Sequence, residues 1–351
     1  MSMTTRGRTA LAAVAAVAVV AVVVAVLVLG GGKGLSGASA RGPGSEPSAP
    51  ASPRPTVCPL TGAKPPHGAV PIRPALAVKV ENLPAARPQT GLSFADVIYE
   101  EPVEAGITRF IVVYQCQDAE RIEPVRSARL TDPSILVQYG RPLFGYAGGV
   151  QKVINAVADA KLIDVNYLKA GTAYHRDDAR IAPHNLYTST RALYQAGHAG
   201  AVLPPAVFTF DPTVPSSASS ATSVHVPFSG DSDVFWRWSS GGHQWLRSYG
   251  STPATYSDGS QMGSTNVVIQ SVKVVMTDIT DVNGVHSPEV ISTGSGTCYV
   301  LRDGGMIKGT WSRPSASDVT VFKDSHGDPI PLAPGRTWVE LVPNTIHVSF
   351  G

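Results

Sequence analysis

Charge is scarce in this chain of 351 residues: Asp, Glu, Lys and Arg make up only 15%, and the formal net charge is +2. A clustered basic surface, which bulk nucleic-acid binding needs, is therefore not expected. Cysteine is rarer still, and Cys58, Cys116 and Cys298 stand too far apart for metal-ligand spacing. His175 and His184 lack the i, i+4 spacing of a helical metal pair, so neither a metal nor a cofactor is expected. No repeat period emerges, which excludes a solenoid. The chain does have 34 Gly and 29 Pro, which suits a protein rich in strands and turns.

One apolar run interrupts this composition. Residues 10–29 are almost wholly Ala, Val and Leu, preceded by Arg6 and Arg8. Twenty residues at helical rise span about 30 Å, the thickness of a bilayer core. A secretory signal has a shorter apolar region of about 7 to 15 residues. The expectation is a single uncleaved transmembrane helix over residues 1–29, with the two arginines in the cytoplasm and the body outside. Cleavage after Ala40, in the string Ala38-Ser39-Ala40, is the alternative. Residues 30–56 are a Gly/Ser/Pro/Ala tether with nothing to form a core. An oxidising compartment favours one disulfide, and Cys58 at the entrance to the fold with Cys116 at a strand end is the pairing expected. Cys298, in an alternating strand, reads as a small buried apolar residue.

Beyond the tether the pattern divides. Residues 75–80, 95–100, 108–116 and 142–146 read as strands, and residues 132–139, 150–162 and 188–195 as helices, the last capped by Ser189 or Thr190. Alternation of the two predicts an α/β domain over residues 58–210. Residues 211–223 read as a polar hinge, and residues 224–351 as a β-rich antiparallel domain, giving an α+β chain overall. Arg302-Asp303-Gly304-Gly305 predicts a tight hairpin. The tryptophans of this second part, Trp236, Trp238, Trp245, Trp311 and Trp338, fall in strand patterns and are expected in its core.

The charge that is present concentrates in residues 75–129, where Glu100, Glu101 and Glu104 meet Arg109, Arg126 and Arg129. Guanidinium forks bind carboxylate or phosphate in bidentate fashion, and Ser127 lies between two of them. The competing reading is a buried structural network of these arginines with the glutamates. Gly148-Gly149 ahead of a helix lets backbone N–H groups approach a ligand. Asp96, Glu101 and His175 are the candidates for acid–base chemistry, though Ser127 is not in the G-x-S-x-G string of a hydrolase elbow. His184 and Asn185 read either as ligand contacts or as a hydrogen-bond lock on their own loop.

The strings RPALAVKVEN, ARPQTGLSFADVIYE, GITRF, PVRSAR and APHNLY, followed by VFWRW, NVVIQ, GTWSR and LAPGRTWVELVP, resemble the YerB-like lipoprotein family. The likeness runs from residue 58 to 344. It implies a two-part extracytoplasmic body at the cell envelope and names no reaction. It departs at the start, where a membrane anchor stands in place of the relatives' lipidated cysteine. The order of elements is also similar in outline to the LytR-CpsA-Psr phosphotransferases of the cell wall. The leading expectation is binding of an anionic envelope ligand, a peptidoglycan fragment or lipid-linked phosphate, by Arg109, Arg126 and Arg129. The alternatives are an envelope glycopolymer transferase or hydrolase, or a scaffold that meets protein partners through its second domain.

Overall fold

A computed structural model describes residues 55–281 and 283–351. The predicted anchor and nearly all of the tether lie outside these residues. Among the described residues no helix is long and apolar enough to cross a membrane.

The first strands are β1 (Leu76–Glu81), β2 (Val97–Pro102) and β3 (Thr108–Tyr114). They pair antiparallel in the order β2-β3-β1. β4 (Leu143–Gly145) adds to β1 in parallel. Their near-continuous apolar runs follow from burial on both faces. Leu76, Val78, Ile98, Phe110 and Val112 point to one core, and Ala77, Val97, Tyr99, Ile111 and Val113 to the other. The second core is closed by α1 (Thr131–Leu136) and α2 (Gln151–Asp159), through Ile135, Leu136, Val153 and Val157. α3 (Thr190–Gly197) packs on the first core through Leu193, and Ser189 Oγ caps it by accepting from Ala192 N (3.1 Å).

The strands of the second half serve two sheets. β5 (Ser223–Ser229), β6 (Ser232–Ser239) and β7 (Gln244–Tyr249) form the centre of a six-stranded sheet. Its Trp236 and Trp245 fill the first core. β8 (Asn266–Thr280), β9 (His286–Ile291), β10 (Gly294–Arg302), β11 (Gly305–Arg313), β12 (Val321–Lys323) and β13 (Thr337–Pro343) instead extend the sheet begun by β1 to β4. The join is β13, which lies parallel to β8 on one side and to β2 on the other. One 12-stranded sheet therefore crosses both halves of the sequence.

This corrects two expectations. The first half is not an even α/β alternation, because its first three strands pair antiparallel with no α-helix between them, and α2 stops short of its predicted end. The second half is not purely antiparallel, because β13 is inserted between strands that both run in its own direction. The segment read as a hinge also supplies a strand, Ser219–Ser220, against the start of β11. Other details agree with the sequence. The β10–β11 turn has Asp303 at φ 50 and Gly304 at φ 72, the positive pair that Asp-Gly tolerates. Cys58 and Cys116 form a disulfide, and Cys298 is free and buried. Four of the five tryptophans are fully buried, while Trp238 is half-buried.

Candidate functional site

The site is built from alternation at the end of one sheet face. Lys79 and Glu81 on β1, Glu101 on β2 and Arg109 on β3 share the face that carries Tyr99 and Ile111, with Arg109 in register with both Glu81 and Glu101. Beside β1 runs the extended segment 125–128. Arg126 N donates to Lys79 O (2.9 Å), and Ala128 N donates to Gly148 O (2.9 Å). Arg129 then turns into α1, its backbone N–H donating to Asp132 Oδ2 (2.7 Å). The β2–β3 connection, with Ala105 at φ 58 and Gly106 at φ 74, turns tightly and presents Glu104.

These pieces surround a cavity of about 600 Å³ that Arg109, Arg126, Ser127, Arg129, Glu81 and Glu104 line. The three arginines and Ser127 singled out in the sequence thus meet in one place. Arg126 Nε donates to Glu81 Oε1 (2.9 Å), and His184 Nδ1 donates to Glu81 Oε2 (2.8 Å). Arg129 Nη2 donates to Glu104 Oε2 (2.5 Å) and its Nη1 to Ala128 O (2.8 Å). Arg109 Nη1 donates to Ser127 O (3.0 Å). The structural-network reading is therefore correct in part, with Glu81 and Glu104 as the partners. It leaves donors over: Arg109 Nε and Arg129 Nε are buried without a protein acceptor among the described residues. Arg126 makes no described hydrogen bond from either Nη.

On the floor Arg109, Arg126 and Arg129 face Glu81 and Glu104, one positive charge in excess, while Asp231 and Asp281 at the rim bring the whole described lining to three guanidinium groups and four carboxylates. Burial, then the neighbouring Arg129, pulls Arg109 down to about 10, so it stays protonated at neutral pH. Burial works to raise Glu104, but the hydrogen bond and charge of Arg129 outweigh it and hold the carboxyl at about 2. Gly149 and Val150 bring the start of α2 to the cavity wall, and no side chain caps that helix. The positive end of its dipole lies at that wall. At the rim, Asp281 Oδ1 is occupied by the backbone N–H groups of Asn283 and Val285, while Asp231 is exposed.

The remaining candidates lie elsewhere. Glu101 sits beneath the floor with no exposure, paired with Lys79, whose Nζ also donates to Asp132 Oδ1 (2.7 Å). Burial pushes Glu101 upward against the pull of Lys79. Asp96 is buried beside the disulfide and accepts from the backbone N–H groups of Gln115 and Cys116; burial raises it to about 6. His175 is exposed on a two-stranded ribbon against Tyr187. Asn185 accepts from Arg176 Nη1 (2.7 Å) and donates to Asp177 O (3.2 Å), locking its loop. No histidine bonds Ser127 among the described residues, so no Ser-His-acid array is assembled.

The chain matches the family described as protein of unknown function (DUF3048), its N-terminal domain over residues 60–201 and its C-terminal domain over residues 224–339. It is also 30% identical over 301 residues to "Putative lipoprotein YerB" of Bacillus subtilis (strain 168), covering 82% of this chain and 86% of that one. This chain belongs to the YerB family. A solved structure, described as the crystal structure of YerB protein from Bacillus subtilis, matches with a TM-score of 0.70 at 25% identity and covers 84% of this chain and 99% of that one. The family strings on β1, at the start of β3 and over the 125–129 segment all contribute to the cavity, through Glu81, Arg109, Arg126 and Arg129. Glu81 and Leu83 of the cavity lining are absent from the sequence-based candidates. The signal for Glu81 was there: Lys79 and Glu81 interrupt an apolar strand at alternate positions, so both had to find partners on one face.

Proposed function

We propose that this protein is a membrane-tethered envelope protein whose body lies outside the cytoplasm. There it binds the anionic group of an envelope ligand, a peptidoglycan fragment or lipid-linked phosphate, in the arginine-lined cavity. The relative's name, the long apolar run and the disulfide support the location. One observation carries the binding: Arg109, Arg126 and Arg129 converge with an uncapped helix start on a single cavity, where both Nη atoms of Arg126 have no described acceptor. Such an array favours an oxyanion, which accepts several N–H groups at once.

The test is calorimetric titration of the full chain, in detergent, with inorganic phosphate. Saturable binding that weakens about tenfold or more in Arg126→Ala is expected, the loss typical of a charge-assisted contact. Equal heats for the two proteins would remove the anion site from the account.

A further inference from the structure

The body of the ligand is written in the rest of the cavity wall. Around the arginines stand Leu83, Ile107, Val150, Val153 and Ile279, and among the described residues no aromatic ring lines the cavity. A wall that receives a sugar offers a ring face to stack on and side-chain amides or hydroxyls for its hydroxyl groups. This wall has one serine, one threonine at the end of β8 and one asparagine in the β8–β9 turn, and of its carboxylates Glu81, Glu104 and Asp281 are already engaged by protein donors. Val150 is 44% exposed although it is a large aliphatic residue, and it sits where α2 opens onto the cavity. Ile107 and Ile279 are half-buried and face the same space from two different hairpins. Aliphatic surface left partly in water next to unpaired guanidinium donors is the pattern of a site for an amphiphilic anion.

We propose that the cavity takes a phosphate monoester of an aliphatic chain, its phosphate on Arg126 and Arg109 and its chain against Leu83, Ile107, Val150 and Ile279. This rests on the anion-site reading above and narrows it from envelope anions in general to phosphates with a hydrocarbon body. The chemistry requires four elements together. Arg126 has two Nη atoms without a described acceptor, a fork that fits two phosphate oxygens. Arg109 contributes a buried positive charge behind it, its Nη1 held by Ser127 O. The α2 N-terminus adds the positive end of its dipole, and Gly148 leaves open space before it. The aliphatic wall then removes the hydrocarbon from water, and the rim aspartate Asp231 disfavours a second negative group further out.

Three probes separate the outcomes, all added to the full chain and to Arg126→Ala so that partition into detergent cancels. They are inorganic phosphate, N-acetylglucosamine 1-phosphate and hexyl phosphate. Because two buried methylenes are worth about tenfold, seating even part of the hexyl chain makes its Arg126-dependent binding at least about tenfold tighter than that of inorganic phosphate. The sugar phosphate is expected to bind no tighter than inorganic phosphate. Ile107→Ser and Leu83→Ser, two independent changes on partly exposed positions, should each reduce the hexyl preference while leaving inorganic phosphate binding in place. A sugar phosphate that binds as tightly as the hexyl ester overturns the aliphatic assignment and leaves the anion site standing. A hexyl preference unchanged in both serine variants overturns it as well. Absence of Arg126-dependent binding for all three probes overturns both.

Discussion

Glu100 and Glu101 are consecutive on β2, and the pleat sends them to opposite sides of the sheet. Glu101 joins Lys79 and Asp132 beneath the cavity, whereas Glu100 accepts from Arg247 Nη2 (2.5 Å) in the core between the sheets. The cavity arginines differ in a similar way. Arg126→Ala leaves Glu81 with His184, so weakened phosphate binding with a nearly unchanged urea midpoint is expected. Arg129→Ala strands a buried carboxylate at Glu104, and an equilibrium unfolding experiment should find about 3 kcal/mol less stability. Glu104 also sets a pH dependence. Its folded value of about 2 lies below the ordinary 4.5, so its contribution is present above pH 4.5 and is lost as pH falls through about 2. The stability gap between the parent and Glu104→Gln, followed by urea unfolding from pH 7 downward, should therefore narrow towards low pH. A gap that widens on acidification would contradict the pairing.

At the scale of elements, the disulfide ties the segment before β1 to the residues just after β3. It closes a loop with a sequence separation of 58. Chain-entropy reasoning assigns such a closure about 4 kcal/mol, so Cys58→Ser with Cys116→Ser should lower the urea midpoint sharply under oxidising conditions. The same double variant should be indifferent to dithiothreitol. Elements were also where the sequence was most readable. The strands around residues 76–81, 97–102 and 108–114 came from short β-branched runs, and the Asp303-Gly304 hairpin from turn chemistry. The arginines could be read as one site because Arg126 and Arg129 are close in sequence and Arg109 opens a strand. The extent of one helix was overread: α2 stops at Asp159, where Ala160 ends it and Lys161 at φ 56 turns the chain away. Apolar periodicity alone continues through Leu162 and cannot show that turn.

At the scale of the whole molecule, β13 was not legible as the central joint, since a parallel partner more than two hundred residues away leaves no local pattern. Glu340 of β13 accepts from Trp236 Nε1 (2.8 Å), and burial with the adjacent Glu100 pushes its carboxyl well above the usual range. Arg247 lies over the rings of Phe110, Tyr249 and Trp338, which come from both halves of the chain. Such a shared core predicts a single cooperative unfolding transition for the described body, with Glu100→Ala costing about 3 to 5 kcal/mol. Two separated transitions in calorimetry would contradict it. The cavity belongs to this shared construction, because the β8–β9 hairpin of the second half brings Ile279 to arginines of the first. The most direct test of the central claim is native mass spectrometry of the full chain purified from its own membranes, beside Arg126→Ala. The account predicts a phosphorus-containing adduct on the parent protein that the variant lacks. An adduct held equally by both, or a bare parent mass that stays bare when inorganic phosphate is added, would contradict it.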